Sequence, residues 1–84
     1  MADPVVIEMA NKLAEECLAV QNELGEDRLF MEVGNVLGAS SQTLEEAFLT
    51  AIRTRMANDH GRAFLRKKLK AHRAENPKEQ PAKT

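Results

Sequence analysis

Asp59, His60 and His72 are the side chains in this 84-residue chain that could in principle share a proton or a metal ion. An imidazole beside a carboxylate can act as an acid–base pair, and two imidazoles can ligate zinc. Their spacing argues against both roles. His60 and His72 are twelve residues apart, about three and a third helical turns, too far to share a metal on one straight helix. The start and the end of a helix are their natural places, and a cation is favoured at the end. Cys17 is the only cysteine. It lies within an apolar stripe, with no cationic neighbour in sequence to stabilise a thiolate, so it reads as a small buried hydrophobe. One thiol cannot form an internal bridge, which fits a reducing compartment. Ser40 and Ser41 have no base near them in sequence and suit helix capping. Phosphate-binding glycine loops are missing. A domain of this length also has little room for a small-molecule pocket of about 300 Å3 or more. The expectation is a non-enzymatic protein with no catalytic residues, no metal site and no cofactor.

The basic residues form the stronger pattern. Residues 1–46 carry ten acids against two bases, or −8, while residues 47–84 carry ten bases against three acids, or +7. The net charge of −1 conceals this polarity. Arg62, Arg66, Lys67, Lys70 and Arg73 fall on the helical face opposite Phe64, Leu65 and Leu69, and Lys68 lies near the apolar stripe, where it can snorkel. No acid interrupts the stretch from His60 to Ala74. A run of like charge on one helix repels itself, so something negative belongs nearby. That could be the acidic half of the same chain, an acidic partner or a nucleic-acid backbone. Basic residues late in a helix also suit the macrodipole without any partner.

The elements that would position these residues are helices. The apolar residues are mainly Leu, Val, Ile, Met and Ala, and the aromatics are three phenylalanines alone. Asp3 is a good N-cap, with Pro4 at the first helical position. Val6, Met9, Ala10, Leu13, Cys17, Val20 and Leu24 then follow the i, i+3, i+4, i+7 rule, and Gly25 supplies a stop. A second helix is expected over about 28–37, capped by Asp27, with Leu29, Phe30, Val33, Val36 and Leu37 inward and Gly38 ending it. Thr43 and Glu46 have the spacing of a capping box. It opens a third helix over about 44–57, with Leu44, Ala47, Phe48, Ala51, Ile52 and Met56 inward. Asn58 to Gly61 reads as a break before a fourth helix over about 60–74, with Phe64, Leu65 and Leu69 inward. The fold class expected is all-α: a compact bundle of about four short helices over residues 1–75, followed by a disordered tail over residues 76–84. No apolar run approaches the roughly 20 residues that cross a bilayer. The chain begins without a basic leader region. A cytoplasmic protein with no membrane partner is expected.

The stretch from Val33 to Leu44 resembles the core of a helix-turn-helix. Gly34 stands where that motif places a small residue, four positions before the turn glycine. Gly38 stands at the turn, which needs a left-handed conformation. Leu44 stands at the apolar anchor six positions later, and Val33, Leu37 and Ala47 suit the inward positions. The resemblance covers about residues 29–54. It implies that Ser41, Gln42, Glu45, Glu46, Leu49 and Thr50 face the major groove, with Arg53 the first base to follow. A glutamate can accept from cytosine there.

Three functions follow. The first is an interaction protein that docks an acidic or helical protein partner through Arg62, Arg66, Lys67, Lys70 and Arg73. The second is a helix-turn-helix DNA-binding regulator that reads through Ser41, Gln42, Glu45, Thr50 and Arg53. The third is a structural subunit of a homodimer. Met31 and Leu49, as a partly exposed apolar pair, add a candidate contact site.

Overall fold

The computed structural model describes residues 3–75, and the expected tail over 76–84 lies outside them. The described residues form three α-helices: α1 over Pro4–Leu24, α2 over Leu29–Gly38 and α3 over Gln42–Glu75. The all-α class holds, but the count is three.

Helix α1 starts and stops where its residues dictate. The Asp3 carboxylate accepts from the Val5 amide at 2.8 Å, and Pro4 occupies the first turn. Gly25 takes φ 71° and ψ 25°, and its N–H returns to the Gln21 carbonyl. Helix α2 departs from expectation at its start. Its N-cap is Arg28, whose side chain makes no capping hydrogen bond. The Phe30 amide donates instead to Gln21 Oε1 on α1 at 3.1 Å, so a neighbouring helix satisfies one of the orphan donors. At its end Gly38 remains helical, and among the described residues only Gly25 has positive φ. The left-handed turn expected at Gly38 is therefore not formed. The chain leaves α2 through Ala39 in the right-handed region. The cap of α3 lies two residues earlier than the expected box. Ser41 Oγ accepts from the Leu44 amide at 3.1 Å, which leaves Thr43 inside the first turn.

The expected break at Asn58 to Gly61 is absent, and α3 runs for 34 residues. The signals for a break were short polar residues and one glycine. Each lowers helix propensity by at most about 1 kcal/mol, and no proline enforces a stop. Strong helix formers flank them on both sides, so the backbone ladder continues.

Ala10, Ala14 and Cys17 of α1 meet Phe48, Ala51 and Ile52 of α3 to form the buried core. Leu29, Phe30, Val33 and Leu37 of α2 close over it, whereas Val36, expected inward with them, lies on the solvent side at 71% exposed. Gly34 lets α2 approach closely, since a Cβ there would stand 3.3 Å from Leu49 Cδ2. Leu49 is thereby half-buried, while Met31 is exposed. Helices α1 and α3 run parallel. Ile7 and Asn11 share a groove with Thr43 and Thr50, and Leu18 and Asn22 share one with Met56 and His60. Arg55 joins the two helices, donating to Asn11 Oδ1 at 3.2 Å and Glu15 Oε2 at 2.9 Å. Antiparallel α2 lies against both.

The molecule is elongated, at 57 × 29 × 21 Å with a radius of gyration of 18.0 Å. A compact chain of this length would have about 12 Å. The expected compact bundle is not what forms, because α3 outruns the helices that support it.

Candidate functional site

Past the turn that holds Asp59 and His60, helix α3 has no neighbour among the described helices. Every residue from Ala57 to His72 is exposed. The cause is geometric. Helix α1 ends at Leu24, beside the turn of α3 that holds Asp59 and His60, and α2 turns back toward the start of α1. Residues 61–75 therefore project about 22 Å beyond the body.

Phe64, Leu65 and Leu69 lie on this projection, 60%, 66% and 46% exposed. The sequence pattern placed them inward, and the structure overturns that, because no other described helix reaches them. At about 100° per residue, these three and Lys68 share one side of the helix. Arg62, Arg66 and Lys70 occupy the other side with Arg73, and Lys67 lies at the margin. The predicted docking residues Arg62, Arg66, Lys67, Lys70 and Arg73 are thus brought onto one projecting segment. Among the described residues no ion pair joins Arg62, Arg66, Lys67 or Lys70 to an acid, whereas Arg55, lower on the same helix, is held by Glu15. Lys12 and Glu8 meet at 4.0 Å on α1, at the far end of the molecule.

The residues proposed to read DNA divide. Gln42, Glu46, Thr50 and Arg53 are exposed on α3, with Glu46 and Thr50 bordering the groove it shares with α1. Ser41 is half-buried and engaged as the helix cap. Glu45 is half-buried over α2, where a Cβ on Gly38 would come within 2.6 Å of its Oε1.

The chemistry-bearing residues are not assembled. Asp59 and His60 sit on the rim of an open groove of about 540 Å3, and His72 lies three turns further along the same helix. A second open groove, of about 570 Å3, lies between α1 and the first half of α3. It is larger than the chain length suggested. Thr43, Thr50 and Thr54 supply its hydroxyls, no histidine, cysteine or lysine lines it, and its Arg55 is engaged by Asn11 and Glu15. Neither groove pairs a nucleophile with a base. Among the described residues no group of three or more His, Cys, Asp or Glu could hold a metal ion. None of the described helices is long and apolar enough to cross a membrane. Cys17 is buried, and desolvation raises its thiol pKa above the ordinary 9.0.

The sequence pattern counted Arg55 among the ten bases of residues 47–84 and gave it no partner. Its signal was present: Arg55 stands four residues after Ala51, on the face that packs against α1.

No protein-family model, curated protein or solved structure matches the chain.

Proposed function

We propose that the protein is a non-enzymatic docking module, and that the projecting half of α3 is the element that engages an acidic, helical protein partner. One observation carries this reading. A cationic helix with three large apolar side chains stands clear of the body, and no other described helix covers it. Exposed apolar surface rimmed by charge marks interaction sites more often than it marks inert surface. The bases would steer an acidic partner and set orientation, and Phe64, Leu65 and Leu69 would supply the desolvated contact.

The groove-reading alternative has less behind it. Of its residues, Ser41 is engaged as a cap and Glu45 is half-buried over α2, while Glu46 would face phosphate.

Anisotropy of a labelled amphipathic peptide built from Glu and Leu tests the docking reading. Binding should weaken as salt rises. Replacing Arg66 and Lys70 by Glu should weaken it at least tenfold with unchanged circular dichroism. Equal affinity in the variant would reduce the helix to a solvated face. A shift of duplex DNA at low salt by the wild type, lost with Arg53→Glu, would favour the alternative.

A further inference from the structure

The projecting helix has a complementary surface on the page, and it belongs to the same chain. Val5, Met9, Lys12, Glu16, Val20 and Glu23 lie on one side of α1, spaced by four, three, four, four and three residues. All six are exposed, with Val5 60%, Met9 52% and Val20 48% open to solvent. Lys12 pairs with Glu8, which leaves Glu16 and Glu23 as the acids among the apolar residues of this face, whereas the projection combines apolar residues with bases. The two also match in length. Val5 to Glu23 spans about 27 Å of helix and residues 61–75 about 22 Å.

Within one molecule they cannot meet, because α3 carries the projection past the end of α1. We infer that the partner is a second copy of this chain, each projecting helix lying along the acidic face of α1 on the other copy. This rests on the docking reading and names its partner.

The arrangement follows from the geometry. Two bodies stand end to end, related by a two-fold axis. Each projection then runs antiparallel to the other copy's α1, starting near Leu24, which is 57% exposed. The projection turns its Leu65 and Leu69 edge toward the apolar residues of that face, and Arg62 and Arg66, next around the helix from Leu69, reach Glu23 and Glu16 from the margin of the contact. The exchange is reciprocal, so the interface closes at two copies and leaves no open end to propagate a filament. Packing projection against projection would instead bring two strongly cationic segments together. Taking half of a cylinder about 10 Å wide and about 22 Å long, two projections and the two faces they cover give about 1,400 Å2. Specific interfaces bury about 1,200–2,000 Å2. The exchange sets part of the basic half of each chain, +7, against part of the acidic half of the other, −8.

Sedimentation equilibrium of the full chain at low salt tests this. The expected result is a dimer of the 9.4 kDa chain, with a dissociation constant that rises at least tenfold between low and high salt. Arg62→Glu with Arg66→Glu should dissociate it, and so should Glu16→Lys with Glu23→Lys. Mixing the two variants should restore a mixed dimer, in which the reversed charges face one another again. An unfolded variant could not do that. A folded wild-type monomer at high micromolar concentration overturns the inference, as does a dimer indifferent to both reversals. The acidic peptide separates the two readings. A monomer that still binds it through Arg62 and Arg66 keeps the docking role and loses the second-copy partner. A monomer that ignores it loses both.

Discussion

Gly25, Gly38 and Gly61 are alike in sequence, and each does something different. Gly25 is held by its backbone, since φ 71° strains any residue with a Cβ. Gly38 is helical, and a methyl there would meet only the end of the Glu45 side chain. Gly61 meets nothing within 4 Å. Cys17 illustrates how a single buried side chain couples to pH. Burial raises its pKa, so the folded chain retains the thiol proton to higher pH than the unfolded chain does. Above the ordinary value of 9.0 the unfolded state therefore binds fewer protons, and stability falls as pH rises. Below that value the contribution is fully present. Urea midpoints of the wild type and of Cys17→Ala, followed from pH 7.5 upward, should show a difference that is constant at first. It should then shift against the wild type in alkali. A constant difference throughout would mean that Cys17 is solvated.

At the scale of elements, α3 is two helices in energetic terms and one in geometry. Its first half buries Phe48, Ala51 and Ile52. In its second half the residues from Ala57 to Ala71 are exposed, and there the helix rests mainly on backbone hydrogen bonds and propensity. Gly61 stands at the junction, in helical conformation and open space. Gly61→Ala removes the entropy cost of glycine without a clash, and should stabilise the helix there by about 0.5–1 kcal/mol. The gain should appear as higher ellipticity and slower amide exchange over residues 62–75, in a high-salt, dilute sample where the projection is uncovered. Exchange over the core helices should be little changed. If amide protection is unchanged everywhere, the second half is held by contacts that α3 does not make within one chain.

For the whole molecule, shape and charge distribution coincide. The acidic body and the basic projection lie along the 57 Å axis. That separation gives the chain a large dipole while its net charge stays near zero, and such a distribution favours association. Small-angle scattering of the dilute chain in high salt should give a radius of gyration near 18 Å. A value near 12 Å, as for a compact chain of this length, would mean that the projection folds back on its own α1. In that arrangement the acidic half would neutralise the bases internally, and the docking surface would be covered.

Local chemistry written in neighbouring residues could be read from the sequence. Asp3, Pro4 and Gly25 bound α1, the i, i+3, i+4 spacing marks Ala10, Cys17, Phe48 and Ile52 as interior, and the charge halves need only counting. The helix-turn-helix resemblance names Gly34 as a point of close approach, and in the fold a Cβ there would stand 3.3 Å from Leu49 Cδ2. Periodicity, however, reports that Phe64, Leu65 and Leu69 share a side of a helix, not whether anything lies against it. That depended on where α1 stopped and on which way α2 turned. Likewise the continuity of α3 through Gly61, the helical state of Gly38 and the capture of Arg55 by Asn11 and Glu15 were settled by the packing of segments distant in the chain. Propensity differences of about 1 kcal/mol per residue are too small to settle such choices alone, and a few tertiary contacts outweigh them.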